Sequence, residues 1–340
     1  MSRNNPDDEL QPLTAFLPGL DLGGRLKFPD RKSGAGKRPR ATITPIERRL
    51  IEAAAADQAD QSILYQHTVF CQTGMPYRDP GEDVRVWDRS NGHAALRITA
   101  GSYMSPATSS FVDVGLPFGP KPRLILAHLN TEALITGKPD IETERTLTAF
   151  VSNGLGLANS GRNMNIIKEQ LTRLAACSVR LGMVKDGQAM TVKSDVISTF
   201  SVWLEKDVRQ RVLWPSIIQL DPKYFESLQR HAVPLDAHHL AALSHSAMAL
   251  DVYSWLAQRL HRIDQHKAAF VPWVSVSQQF GMGYDEIRMF RRAFKVALSQ
   301  VQAVYREARV KPGTGGLTLW HSPPPVKRKF FPTFMGKPQK

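Results

Sequence analysis

"LPFGPKPRLILAHLNTEALITGK", Leu116–Lys138, sets three prolines between Pro117 and Pro122 and then runs directly into an apolar helical pattern. Each proline fixes its own φ and pushes the residue before it out of the helical region. The chain is thereby held extended until Pro122, which suits the first position of a helix. A stiff approach of this kind fixes the angle at which the helix sits on whatever precedes it.

Downstream, elements follow in a definite order. A short strand near "PDIE" leads to a helix "RTLTAFVSNGLG", a loop "LANSG" and a longer helix "RNMNIIKEQLTRLAAC". Two strands, "SVRLGMV" and "AMTVKSDVIST", are joined by "KDGQ", where Asp186-Gly187 marks a tight turn. The order then recurs: helix "AMALDVYSWLAQRLHRI", strand "AAFVPWV", short helix "SVSQQFG", turn "MGY", long helix "DEIRMFRRAFKVALSQVQAVY", hairpin "EARVKPGTGGLTLWHS". First to third helix is 40 residues in one copy (Pro122 to Arg162) and 38 in the other (Ala247 to Asp285). Phe150 with Gly154 and Gly156 resembles Phe280 with Gly281 and Gly283. The pattern is repetition of a fold rather than close sequence duplication.

Between the copies lie a strand-like "WPSIIQL", a short helix "DPKYFESLQR" capped by Asp221, and another in "DAHHLAAL". Upstream, Asn91-Gly92 between Val84–Trp87 and Ala95–Ile98 reads as a hairpin. A helix is expected over about 45–66, with Thr44 as N-cap, Pro45 at the first position and Glu47 completing a capping box. Residues 1–40 are rich in Pro, Gly and charge and end in "DRKSGAGKRPRA", the composition of a flexible basic arm.

Helix, strand, helix, turn, helix, hairpin is the order of a winged helix-turn-helix, whose third helix fits the DNA major groove while the hairpin touches backbone or minor groove. The expected fold class is α+β: two tandem winged helix-turn-helix domains behind a β-hairpin segment and a basic, largely disordered N-terminal arm. The expected boundaries are 1–43 for the arm, 44–115 for the helix and hairpin segment, 116–230 and 231–325 for the two domains, and 326–340 for a basic tail.

The third helices support a groove-reading role. In the second, Ile287, Phe290, Phe294, Ala297, Val301 and Val304 make an apolar stripe. Arg288, Arg292, Lys295, Ser299, Gln302 and Arg306 make another, with Arg291 between the two. In the first, Met164, Ile167, Leu171 and Leu174 form the packing stripe, while Arg162, Asn163, Lys168 and Arg173 lie elsewhere. Arg and Asn near the start of such a helix can bond guanine and adenine edges, and Lys168 suits a phosphate. The hairpins add Arg180, Lys185 and Lys193 in the first copy and Arg309 and Lys311 in the second, whose glycines 313, 315 and 316 predict a mobile tip. A basic helix face can equally be a merely solvated one. The chain as a whole carries 44 Lys and Arg against 31 acidic residues, a formal charge of +13, which attracts polyanions. The acid-free tail with Lys327, Arg328 and Lys329 reads either as a phosphate-following strap or as a solubilising extension.

Other chemistries lack their residues. No run of eighteen apolar residues predicts a membrane span, and "MSRNNPDDELQPL" has no apolar core of a secretory signal. Two cysteines, Cys71 and Cys177, imply no disulfide framework and fit a reducing cytoplasm as packing residues. The GK pairs in "TGKPD" and "GAGKRPR" lack the glycine spacing and the Ser/Thr of a nucleotide-binding loop. No two histidines are separated by a single residue, as the metal pair of a nicking initiator requires. His238, His239 and His245 fall on different helical faces and read as surface or packing residues rather than a zinc site. No catalytic residue, cofactor or metal is expected.

From about Arg85 to Pro325 the chain resembles the RepA-type plasmid replication initiators, a tandem winged-helix Rep family. The resemblance rests on the order and spacing of "LPFGPKPRLILAHLNTEAL", "GRNMNIIKEQLTRLAACSVRL", "LWPSIIQLDPKYFESL", "HAVPLDAHHLAALSHSAMALDVYSWLAQRL", "FRRAFKVALSQVQAVYREARV" and "GGLTLWHSPPP". It implies binding to double-stranded DNA at repeated origin sites, help in opening an adjacent AT-rich region, and recruitment of host replication initiator and helicase-loading proteins. It also implies self-association between monomer and dimer and autorepression. Carried onto this chain, it points to Arg162, Asn163, Lys168 and Arg173 on one helix and to Arg288, Arg291, Arg292 and Lys295 on the other. A repressor of the same fold with no initiation role is the competing reading, and a DNA-nicking enzyme is the third.

Overall fold

A computed structural model describes residues 43–55, 62–105, 108–143, 146–185, 187–199 and 217–326. The expected arm, apart from Ile43, and the expected tail, apart from Val326, lie outside the described residues. The chain divides into two units, Met1–Arg48 and Arg49–Lys340. In the first unit, Thr44 and Glu47 form the anticipated capping box: the Thr44 amide donates to the Glu47 carboxylate at 2.8 Å and the Glu47 amide to Thr44 Oγ1 at 3.2 Å.

The helix they open, α1 (Pro45–Ala55), is shorter than expected. The stretch predicted to continue it holds instead a strand, β1 (Ile63–His67), followed by α2 (Thr68–Gln72). The reason is non-local. Ile63-Leu64-Tyr65 pairs antiparallel with β11 (Ala232–Asp236), a strand unanticipated in a stretch that carries Pro234, a residue that argues against a strand. The hairpin β2 (Val86–Asn91) and β3 (Ala94–Thr99) turns at Gly92, whose φ of 57° is the left-handed conformation that Asn-Gly turns need. A smaller ribbon, β4 (Ser102–Ser105) with β5 (Ser110–Asp113), follows.

The proline-rich approach then enters α3 (Pro120–Thr136), two residues earlier than expected. Both Pro120 and Pro122 fall within the first helical turn, where backbone N–H groups have no intrahelical acceptor to lose. Along α3, Leu124, Ile125, Leu126, Leu129 and Leu134 are all buried, so the helix is enclosed on most sides. Next come β6 (Asp140–Glu142), α4 (Leu147–Ala149) with a π turn at Phe150–Gly154, α5 (Gly161–Ala176), and the hairpin β7 (Ser178–Lys185) with β8 (Gln188–Asp195). After β9 (Ile197–Thr199) and β10 (Ile217–Leu220), α6 (Pro222–His231) starts at the expected Asp221 cap, whose carboxylate accepts from the Lys223 and Tyr224 amides.

Past β11, α7 (Ala237–Leu243) leads to the second series: α8 (Ala247–Arg259), β12 (Ala269–Pro272), α9 (Trp273–Phe280), α10 (Ile287–Val304), β13 (Val310–Pro312) and β14 (Gly316–Leu319). The element order therefore occurs twice. The two loops before the third helices both turn on a left-handed glycine, Gly156 with φ 62° and Gly283 with φ 81°, each shortly after a buried phenylalanine.

Sheet pairings tie distant parts together. The order β2-β3-β7-β8 joins the early hairpin to the hairpin that follows α5, β6-β10-β9 closes a second sheet, and β12-β14-β13 a third. Buried side chains from Leu50 to Leu319 form one cluster, so the second unit has a continuous core spanning both copies of the element order.

Candidate nucleic-acid interface

On α10 the 3.6-residue period divides the helix into unlike faces. Phe290, Phe294, Ala297, Leu298, Val301 and Val304 are buried. Phe294 packs edge-on against Trp273 at 5.8 Å and tilted against Phe280 at 5.6 Å, an aromatic cluster that seats the helix on α9. Ile287, expected in this stripe, is exposed because it is the first helical residue, ahead of the point where α10 meets the core. Arg288, Arg292 and Lys295 all face outward. The one carboxylate close to them among the described residues is Glu286, 3.4 Å from Arg288 with both side chains exposed, a pair that solvent makes weak.

Arg291 stands apart from these three. Its guanidinium lies 5.0 Å from the centre of the Trp273 ring and donates to the Thr314 carbonyl at the hairpin tip. Trp273 also donates from its amide to the Gly315 carbonyl and from Nε1 to the Gly313 carbonyl, both at 3.0 Å. The tip expected to be mobile is thus fastened to α9 and α10, and Gly316 is needed for close approach: a Cβ there would sit 2.2 Å from the Val271 carbonyl. Arg309 and Lys311 are exposed on the same hairpin.

On α5 the core side holds Ile167, Gln170, Leu171 and Leu174, with Met164 only half-buried. Ser160 caps the helix by accepting from the Asn163 amide at 3.2 Å. Arg162 is exposed in the first turn, and Lys168 is half-buried. The Asn163 side-chain amide donates to the Ala158 carbonyl at 2.8 Å and so is engaged in the preceding loop. Arg173 is more firmly occupied. Its side chain is 15% exposed, pairs with Asp79 at 3.2 Å and Glu169 at 2.9 Å, and donates to the Leu116 carbonyl at 3.1 Å. Gln170 accepts from the Phe118 amide at 2.8 Å beside it. Arg173 and Gln170 therefore hold the stiff proline-rich approach against α5. Lys185 ends β7 opposite Gln188 at the hairpin turn.

One basic feature has no local signature in the sequence. Asp88, Arg97, Arg180 and Lys193 share one cross-strand row on the outer face of the four-stranded sheet. Asp88 binds Arg97 through two bonds of 2.6 Å, which holds its carboxyl below the usual range and leaves Arg180 and Lys193 beside a neutralised pair. Arg180 and Lys193 were legible as hairpin cations; the Arg97–Arg180 neighbourhood depends on the β3–β7 pairing, for which adjacent sequence carries no sign.

The histidines of "DAHHLAALSHS" are engaged locally. His239 Nδ1 lies 3.2 Å from the Tyr253 hydroxyl and His245 Nδ1 lies 3.1 Å from the Ala242 carbonyl. Among the described residues no group of three His, Cys, Asp or Glu side chains converges as a metal site. Cys71 and Cys177 are buried, and burial pushes both thiols up, the condition of inert packing residues. No helix among the described residues is long and apolar enough to cross a membrane.

Residues 116–274 match the family described as "Plasmid encoded RepA protein". No curated protein matches the chain. Among solved structures, the chain is similar to a crystal structure of RctB domains 2–3, with 12% identity and a TM-score of 0.42 over 74% of this chain and 94% of that one. A second crystal structure of RctB domains 2 and 3 gives 13% identity and a TM-score of 0.40 over 80% and 88%.

Proposed function

With residues 116–274 as a segment of the plasmid-encoded RepA family, we propose that this chain is a replication initiator that binds repeated duplex sites at a plasmid origin through two winged helices, α3 to β8 and α8 to β14. The observation that carries the reading is the division of α10. Its apolar side is spent on the core, and Arg288, Arg292 and Lys295 stand exposed on the other side, beside a fastened hairpin bearing Arg309 and Lys311. A helix with one face anchored and the other cationic is what the major groove accepts, and a hairpin at its flank suits the phosphates.

In this reading α10 is the stronger reader. On α5, Arg162 and Lys168 supply the contacts, with Lys185 on the hairpin, while Arg173 and Asn163 serve the helix's own setting. Binding energy, rather than covalent chemistry, does the work: bending or unstacking flexible steps nearby costs on the order of a few kcal/mol, which several bound copies together can offset. The chain is no enzyme, and host initiator and helicase-loading proteins complete the process. The protein acts in the cytoplasm on plasmid DNA, self-associates, and represses its own gene by the same contacts.

The test is maintenance of a plasmid carrying the flanking origin fragment in cells with and without this gene. Dependence on the gene supports initiation; maintenance without it leaves the repressor reading, which shares the fold. Incubation with supercoiled DNA and Mg²⁺ separates the third reading, since protein-linked nicks would make the chain a nicking enzyme.

A further inference from the structure

We propose that the segment 63–77, together with the buried Arg123–Asp251 pair, clamps the two helix–hairpin units into one fixed orientation, so that DNA is read at a single spacing between the two halves of its site. The clause on DNA rests on α5 and α10 being the reading helices; the clamp itself does not. The segment grips each unit in turn. The Tyr65 amide donates to Thr131 on α3 at 2.8 Å, while β1 pairs with β11 along its whole length. The Thr68 hydroxyl accepts from Gln258 on α8 at 3.3 Å, and the Gln72 carbonyl accepts from Gln279 on α9 at 2.7 Å. The Met75 carbonyl then accepts from Arg123 on α3 at 2.7 Å.

Arg123 also crosses directly to the other unit. Its Nε and Nη2 donate to the two Asp251 oxygens on α8 at 2.6 and 2.7 Å, with both side chains at most 8% exposed. Gly74 leaves room for this: a Cβ there would lie 2.5 Å from Asp251 Oδ2. A bidentate pair out of water has one good geometry and no low-energy neighbour to slide into, because parting it strands two buried charges. Two modules on a flexible tether would accept a range of spacings between their sites. Two modules sharing directional buried bonds cannot.

The experiment uses the full chain with Asn165→Cys on α5 and Val296→Cys on α10 spin-labelled in pairs, both positions being exposed while native Cys71 and Cys177 stay buried. Pulsed electron resonance is expected to give one narrow distance population in the free protein; a broad or multiple population would overturn the clamp. Asp251→Asn, which keeps the side-chain shape, is expected to broaden it, and a folded variant as narrow as the parent would remove the ion pair from the clamp. Should that variant not fold, the parent's distribution still decides. A duplex selected from a randomised library, then lengthened between its two protected halves by about half or one helical turn, is expected to lose the advantage of linkage, on the order of 10²–10⁴-fold in affinity. Tolerance of every insertion would overturn fixed spacing. Failure to select any duplex would instead sink the DNA-binding reading and leave the distance result standing.

Discussion

Arg173 and Arg291 both sit where a groove-reading side chain is expected, and both are braces. Arg173 secures the proline-rich approach through Leu116 and two carboxylates; Arg291 ties α10 to the hairpin tip over Trp273. Helical periodicity set both outside the apolar stripe. It could not distinguish them from Arg288 and Arg292, because what occupies a guanidinium comes from Asp79 or Thr314, far away in sequence. Arg173→Ala is accordingly expected to lower folding stability by about 1 kcal/mol, its carboxylate partners being half in solvent. The salt dependence of DNA binding should not change, and a reduced slope at unaltered stability would make Arg173 a phosphate ligand after all. Changing Arg288, Arg292 and Lys295 together to Ala is expected to do the reverse. Denaturant midpoints should hold, while the slope of log affinity against log salt falls by about 0.9 for each phosphate left without its cation. Binding curves at several salt concentrations measure it.

At the scale of elements, what was legible was local. The Thr44–Glu47 box, the turns at Gly92 and Gly187, the Asp221 cap and the amphipathic period of α10 are written within a few residues of where they act. The strands β1 and β11 were not legible, since each exists by pairing with the other across about half the chain. The junction of β1 and α2 also hides a titratable cap. His67 is fully buried, its Nδ1 accepts from the Val69 amide at 3.2 Å, and its Nε2 lies 3.0 Å from the Ser227 hydroxyl. Nδ1 can accept only while unprotonated, so the neutral ring carries its proton on Nε2 and donates it to Ser227. Burial, with His231 nearby, pushes its pKa down to about 3, and burial pushes His128 down to about 4. Both folded values lie below the unfolded value near 6.5, so their stabilising effect is complete above that pH and is lost as pH falls toward the folded values. Stability should therefore fall with a slope of about 0.7 kcal/mol per pH unit for each histidine at pH 6.5, growing toward about 1.4 roughly one unit lower. Urea unfolding across that range should show a shallower dependence for His67→Gln; an equal slope would show that His67 is not held neutral.

Across the whole molecule, the segment 63–77 is the join. It bonds to α3 of the first copy and to α8 and α9 of the second, and the core runs through it without a break. Removing one side of the central ion pair by Arg123→Ala should cost about 3–5 kcal/mol, since Asp251 is then left buried without its counter-charge. Thermal unfolding should still show one transition, because both copies share that core; two separate transitions would mean the copies are independent bodies. Groove reading by α10 is tested most directly by footprinting on the DNA flanking the gene. Repeated protected sites are expected with the parent protein, and none with the Arg288, Arg292 and Lys295 triple-alanine variant at the same concentration. Identical protection by the two proteins, or no protection by either, would contradict that role.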